Sequence, residues 1–485
     1  GRVEVTREGY GFIIPLPKGE DRDCIVEKKF LKNVRSGDIV LAKIIAKKKK
    51  RPKGKIITCL EARNQKMIGY LEKYQLNSMV ISIPDETPCK IKASQKSLKT
   101  LPQGTILEFH PDNGEILRIL GTLEDPNIDE IITLELYNRQ EVFTLQAEIQ
   151  AKSAKKVCVK DFKERADLTY LPFCTIDPKT AKDHDDAIFY DKESSILYIS
   201  IADVSYYVTP NSPLDIEAKN RSFSIYFPHK CIPMLPHSLS EDICSLKEGK
   251  VRLAMTFKIR LHRRTKAVLN TELFQSLIKV RQKLNYEEVD LFLQTGQSST
   301  IKKSLHEMLV DLKVLTQALR KKRLQKGFDF LGENLELELD KNMELKSSCL
   351  QTSTISHQLI EECMLLANIQ SAKMLEQKNL QNDLSLGIYR VHPKPKPYDI
   401  QSLFVEFRML GLWRKNTIPA TEESFHKAIL EIQRLAKRAK IRSEVDGLIV
   451  RSMQQAGYLS QNIGHFGLGF EAVSDTHLTR PTILR

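Results

Sequence analysis

Thr175-Ile176-Asp177-Pro178-Lys179-Thr180-Ala181-Lys182-Asp183-His184-Asp185-Asp186-Ala187 sets four aspartates within ten residues, at separations of six, two and one. Pro178 places a turn inside the stretch, and Ala187-Ile188-Phe189-Tyr190 after it reads as a strand. Carboxylates this close repel one another and ionise with difficulty unless a cation stands among them. Oxygen donors, with no cysteine or paired histidine beside them, favour Mg²⁺, or Mn²⁺, over zinc. Mg²⁺ takes few protein carboxylates and completes its shell with water and substrate phosphate, which suits phosphodiester chemistry. One or two such ions, about 3.5–4 Å apart when paired, generate a hydroxide nucleophile and stabilise the leaving 3′ oxygen. From the pattern by itself a solvated acidic loop and a structural calcium site remain open. His184, between the acids, reads as a neutral surface or supporting residue rather than a ligand.

Outward from this stretch, the 485 residues exceed one ordinary core, so several domains are expected. With 41% hydrophobic and 28% charged residues the chain should fold over most of its length. No run reaches the roughly 18 uncharged apolar residues of a membrane span. The opening GRVEVTREGYGF has strand character, no initiator Met and no secretory pattern, so the natural protein is expected to be longer and nothing here directs export. Nine cysteines, odd in number and without a C-x-x-C pair, are expected to be reduced thiols of a cytoplasmic protein. The net charge of +14 points to an acidic partner such as nucleic acid.

Residues 1–65 alternate as short strands broken by Gly, Pro and charge, the pattern of a small barrel. In Gly9-Tyr10-Gly11-Phe12-Ile13-Ile14, strand alternation puts Tyr10 and Phe12 on one face. There they could stack unpaired bases, with Arg2, Arg7 and Lys18 nearby; the alternative is that both rings fill the barrel core. This stretch resembles a cold-shock domain, in which such a strand faces RNA. The basic run from Lys47 to Lys55 reads as a solvated loop. A second cold-shock-type barrel is expected over 66–122, with turn signals at Pro84-Asp85, Pro102-Gln103-Gly104 and Asp112-Asn113-Gly114. Residues 123–165 read as a helical linker. Beyond them lies an α/β region, with helical periodicity in 304–324, 358–376 and 423–440.

From Thr175 to Met255 the chain resembles the catalytic domain of the ribonuclease II and ribonuclease R family in ordered segments: TIDPKTAKDHDDA, LYISIADVSYYVTPNSPLDIEAKNRSFSIYFP, CIPMLPHSLSEDICSL and VRLAMTF. LNYEEV at 284–289, LIEECMLLANIQSAK at 359–373, RSMQQAGY and GHFGLGFEA, ending at Ala472, continue it. The resemblance implies two oligonucleotide-binding barrels followed by a mixed α/β catalytic domain over 166–472. It implies that Asp177, Asp183, Asp185 and Asp186 are the catalytic, metal-holding aspartates, and that Tyr226 and Phe330 clamp the 3′-terminal bases of single-stranded RNA; for Phe330, core packing is the alternative. The implied reaction is Mg²⁺-dependent, processive, hydrolytic removal of nucleoside 5′-monophosphates from the 3′ end. SIYFP, CIPMLP and Arg390-Val391-His392-Pro393-Lys394-Pro395 are closer to ribonuclease R, which favours digestion of structured RNA as well. A monomer without membrane attachment is expected.

After Ala472 the family continues with Tyr-Thr-His-Phe-Thr-Ser-Pro-Ile-Arg-Arg-Tyr-Pro-Asp-Leu, whose arginine grips the scissile phosphate. Here residues 473–485 read VSDTHLTRPTILR, which is taken as foreign or frame-shifted sequence, and Arg480 is not assigned the gripping role. The polypeptide is therefore expected to bind RNA but cleave it poorly. The competing readings are a non-catalytic RNA-binding or RNA-remodelling protein and a DNA nuclease.

Overall fold

Strand alternation sets the architecture of the N-terminal third. The computed structural model describes all residues except 6–9, 16–22, 32–33, 35–36, 47–51, 62–65, 75–76, 112, 155–156, 332–333, 352, 383–386 and 471–485. Arg7, Lys18, residues 47–51 of the basic run from Lys47 to Lys55 and the 473–485 tail therefore lie outside the described residues. The chain divides into two compact units, Gly1–Val142 with Leu339–Leu345 and Phe143–Glu338 with Lys346–Arg485.

In the first unit, β1 (Arg2–Val5), β2 (Gly11–Ile14), β3 (Cys24–Val26), β4 (Ile39–Ala46) and β5 (Lys53–Glu61) close a barrel in the order β1-β2-β3-β5-β4. Val3, Ile13, Cys24, Val26 and Val40 fill it. Gly11 is buried because a Cβ there would stand 2.5 Å from Leu31 Cδ2. Lys53-Gly54-Lys55, expected to finish the solvated loop, instead begins β5. Ile25 and Val26 pair with Lys53 and Gly54 in parallel, and the absence of a side chain at Gly54 leaves room for Cys24 Sγ. Ladder pairing overrides the local charge, which was all the sequence offered there.

A second five-stranded sheet follows, from β6 (Met67–Lys73), β7 (Ser78–Ser82), β8 (Pro88–Cys89), β9 (Thr105–Phe109) and β10 (Ile116–Thr122), in the order β10-β9-β6-β7-β8. Helix α1 (Gln95–Thr100) is inserted before β9. Helix α2 (Ile128–Leu136) packs Ile128 and Ile132 onto Ile68 and Ile106 of this sheet. The helical linker thus contains α2, which packs in the first unit, and α3 (Leu145–Lys152), which belongs to the second.

The second unit is built on a seven-stranded mixed sheet. Its strands are β11 (Ala166–Asp167), β12 (Cys174–Asp177), β13 (Asp186–Asp191), β14 (Ile196–Ala202), β17 (Val251–Leu261), β18 (Val268–Lys279) and β19 (Gln282–Asn285), ordered β11-β18-β17-β14-β13-β12-β19. Between β14 and β17 come α4 (Pro213–Arg221) and a small hairpin, β15 (Ile225–Tyr226) and β16 (Cys231–Ile232). Successive residues point to opposite faces, and both faces are covered. Ile188, Leu197, Ile199 and Phe257 meet α5 (Tyr286–Thr295), α6 (Lys303–Arg323) and α7 (Ile355–Asn382) in one core. Ala187, Ala202, Ala254 and Ile278 face α3, α4 and the segment around Leu239 and Leu246 in another. Strands buried on both sides carry nearly continuous apolar runs, as in β13 and β14, whereas the first two-thirds of β18 is exposed or half-buried and mixed in polarity.

The remaining elements are the hairpin β20 (Asn334–Leu339) and β21 (Leu345–Gln351), the pair β22 (Tyr389–Val391) and β23 (Gly457–Leu459), and helices α8 (Pro397–Met409), α9 (Glu422–Arg438) and α10 (Arg442–Ser452). Phe404, Phe407, Trp413, Phe425 and Ile432 form a third core among the last three helices. The helical periods read over 304–324, 358–376 and 423–440 correspond to α6, α7 and α9. Among the described residues no helix is long and apolar enough to cross a membrane.

Candidate active site

Asp177 and Asp186 come to one end of the sheet because one of two antiparallel strands ends there and the other begins. β12 and β13 pair at Cys174 and Ile188, so Asp177, the last residue of β12, and Asp186, the first of β13, lie at the same end. The segment 178–185 joins them, and Ala181 N–H bonds back to Pro178 O at 3.0 Å in the turn that the proline sets. Asp177, Asp183 and Asp186 are half-buried and Asp185 is exposed.

His184 is only 3% exposed, and its Nδ1 donates to Asp177 Oδ2 at 2.7 Å. It is a buried support for a carboxylate, so the surface reading of His184 is corrected and the supporting one stands. A local pattern of acids around a histidine carries no information about burial, which comes here with the Ser245-Leu246 segment bonded to the His184 backbone.

The acids project a negative field into the protein behind them. Burial pushes the Cys174 thiol up to about 12, with Asp186 and Asp177 adding to the shift. Burial likewise raises Cys244 to about 12, helped by Asp185 and opposed by Arg252. Cys363 on α7 is pushed well up by burial and next by Asp186. No disulfide joins any of the nine cysteines. The nearby cations are engaged elsewhere: Lys283 Nζ donates to Ala181 O at 2.9 Å, and Arg252 Nε to Ser245 O at 3.0 Å.

Among the described residues no group of three or more His, Cys, Asp or Glu side chains is gathered into a metal cage. The donor set is nevertheless oxygen-only and partly open to solvent, which suits a hard cation that keeps water and substrate oxygens in its shell. Asp177, Asp183, Asp185 and Asp186 are the residues able to contribute.

The expected aromatic residues fall at different places. Tyr226 is 63% exposed at the end of β15 and pairs with Cys231 across the hairpin. Phe330 is half-buried and stacks on Phe328 with centroids 5.9 Å apart, against the core of α8–α10. Its backbone neighbours are held firmly: Gln433 Nε2 and Arg442 Nη2 donate to Asp329 O, and Leu331 N–H donates to Asp446 Oδ2 at 2.9 Å. In the first unit Tyr10 is 51% exposed and Phe12 half-exposed, and neither joins the barrel core.

Several residues at this end of the sheet were not singled out from sequence. Ser245 is fully buried against the 182–184 backbone. Asp203, just past β14, forms a buried ion pair with Arg165 at 2.7 Å. Tyr286 follows Asn285, the register partner of Asp177, and stacks on His357 with centroids 3.8 Å apart. Their segments were legible as family text, but each acquires its neighbour only through strand pairing or helix docking across tens of residues.

Comparison with known proteins matches three family descriptions along the chain: "Ribonuclease R, OB first domain, N-terminal" at 1–55, "Ribonuclease R second OB domain" at 68–134 and "RNB domain" at 165–483. Ribonuclease R of Helicobacter pylori strain 26695 is 37% identical over 485 residues, covering 99% of this chain and 72% of that protein. Ribonuclease R of Thermotoga maritima is 30% identical over 506 residues, with 99% and 68% covered. Among solved structures, Mycoplasma genitalium RNase R in complex with ribose-methylated single-stranded RNA superposes with a TM-score of 0.79 at 22% identity, covering 98% of this chain and 76% of that one. Yeast Ssd1, described as a pseudonuclease, superposes with a TM-score of 0.71 at 15% identity, covering 99% and 67%.

Proposed function

This chain belongs to the RNB-domain exoribonucleases of the ribonuclease R type, with two N-terminal OB-type barrels ahead of a mixed α/β catalytic domain, and from that premise we propose that it hydrolyses single-stranded and structured RNA processively from the 3′ end to nucleoside 5′-monophosphates. The observation that supports the reading is the placement of Asp177 and Asp186 at one sheet end, with His184, between Asp183 and Asp185, bonded to Asp177. Those four carboxylates would hold Mg²⁺ or Mn²⁺. The chemistry such an ion would supply there is activation of a water and charge stabilisation of the leaving 3′ oxygen.

The chain's own residues do the remaining work. His184 keeps Asp177 in one rotamer, so its carboxylate is preorganised. Tyr226 and Phe330 would stack the terminal bases, and Tyr10 and Phe12 of the first barrel would stack unpaired bases of RNA, each stacked base contributing about 1–3 kcal/mol. The strand is expected to enter 3′ end first, the protein to act as a monomer, and the setting to be the cytoplasm.

Residues 473–485 lack an arginine in the family's Ser-Pro-Ile-Arg-Arg setting, so turnover by the 485-residue polypeptide itself is expected to be weak. In the best-studied phosphoryl transfers a phosphate-gripping arginine is worth about 10³–10⁵ in rate. The non-catalytic alternative draws support from the lack of a formed cage among the described residues. A single-stranded RNA carrying a 3′ label, incubated with and without Mg²⁺ and with Asp185→Asn, separates the two. Mg²⁺-dependent release of labelled mononucleotide, lost in Asp185→Asn, supports the nuclease. RNA binding indifferent to chelator, with no release at any enzyme concentration, supports the binding module.

A further inference from the structure

The aspartate segment is anchored by a residue more than sixty positions away in sequence. Ser245 is 0% exposed, and its hydroxyl makes two hydrogen bonds to one short stretch of backbone. Oγ accepts from His184 N–H at 3.1 Å and donates to Lys182 O at 3.0 Å. The two peptide groups it joins flank Asp183. Next to them, Leu246 N–H donates to His184 O at 2.8 Å. Ser245 is itself held, because Arg252 donates from Nε to Ser245 O and from Nη2 to Asp242 O, each at 3.0 Å. Cys244 and Leu246 are buried in the core on this face of the sheet.

We propose that Ser245 is a positioning residue for the acidic site: its hydroxyl clips the peptides on both sides of Asp183, sets the direction of that carboxylate, and delivers the His184 ring to Asp177. On a side chain this short, a hydroxyl is the group that both donates and accepts strongly at one atom, a thiol doing each only weakly. A side chain that merely filled space would satisfy neither backbone group, and an unsatisfied buried peptide group is costly enough to let the segment rearrange. The inference rests on the reading of the aspartates as a metal site, and the clip itself can be measured without metal or RNA.

Hydrogen exchange followed by mass spectrometry on the metal-free 485-residue protein, comparing wild type, Ser245→Ala and Ser245→Thr, tests the clip. In Ser245→Ala, amides of residues 182–186 should exchange about tenfold faster while peptides from β14 keep their wild-type rates, and Ser245→Thr should restore slow exchange. Mn²⁺ uptake measured by electron paramagnetic resonance provides the second readout: the half-saturating concentration should rise about tenfold in Ser245→Ala and stay near wild type in Ser245→Thr. Unchanged exchange over 182–186, equal loosening of β14, or an Ala variant that binds Mn²⁺ like wild type overturns the positioning role. Wild-type protein that takes up no Mn²⁺ overturns the metal reading of the site, and with it what Ser245 is said to position.

Discussion

At the scale of single residues, the aspartates and their support differ in how openly they announce themselves. Asp177, Asp183, Asp185 and Asp186 stand within ten residues, so a cation site is a reading that local spacing itself suggests. For His184 the sequence leaves a surface and a supporting role open, and the fold decides between them by burying it to 3% exposure and setting its Nδ1 against Asp177. Residues that orient a metal-binding carboxylate typically change metal affinity by about 10–100-fold when removed. His184→Ala should therefore raise the half-saturating Mg²⁺ concentration for RNA hydrolysis by about tenfold or more while RNA affinity in chelator is unchanged. Equal Mg²⁺ titration curves for the two proteins would sink that role. Asp203 is a second case: its carboxylate bonds Arg165 Nη2 and Ser205 Oγ, both at 2.7 Å, and the Arg165 and Asp203 side chains are 2% and 1% exposed. Removing one charge from a buried pair leaves the other uncompensated, so Asp203→Asn should lower unfolding free energy by about 3–5 kcal/mol in urea.

At the scale of elements, the pair β22 and β23 leads into two buried histidines whose protonation is linked to stability. His392 Nε2 donates to Gln454 O, while its Nδ1 accepts from Gly467 N–H at 3.0 Å. His465 Nδ1 accepts from Leu468 N–H at 3.2 Å. A Cβ on Gly467 would stand 2.8 Å from His392 Nδ1, which explains a glycine within Gly464-His465-Phe466-Gly467. Burial, then the neighbouring His392 and Arg390, lowers His465 from the ordinary 6.5 to about 3. The unfolded chain takes up a proton near pH 6.5 and the folded one does not, so this contribution is complete above pH 6.5 and is lost as pH falls from 6.5 towards 3. The slope from one such group is at most about 1.4 kcal/mol per pH unit. Thermal melts between pH 7 and 4.5 should show a shallower decline in His465→Gln than in wild type, and parallel declines would refute the linkage. This element was legible only as family text. Helices α6, α7 and α9 were legible as physics, since an apolar stripe at helical spacing is a local property. The start of β5 was misread because charge in Lys53-Gly54-Lys55 outweighed a pairing partner nearly thirty residues away.

At the scale of the whole molecule, the +14 net charge predicts how binding responds to salt. Contacts to about 6–10 phosphates would cost about 10³–10⁵ in affinity between 50 and 200 mM salt. Fluorescence anisotropy with a single-stranded RNA across that range should give a steep linear log–log plot; a flat one would mean that the basic surface is not the docking surface. Read alone, the sequence determined the succession of two β-rich domains and an α/β domain, the major helices, and the grouping of four acids within ten residues. Each of these depends on residues close together in the chain, where alternation, turn chemistry and charge repulsion operate directly. Tertiary structure alone decided that Asp177 and Asp186 share a sheet end, that His184 is buried, that Ser245 brackets Asp183, and that Phe330 leans on Phe328 while Tyr226 stands exposed. The physical reason is that strand register and two-sided packing join segments tens of residues apart, and no local pattern encodes which partner a given side chain will meet.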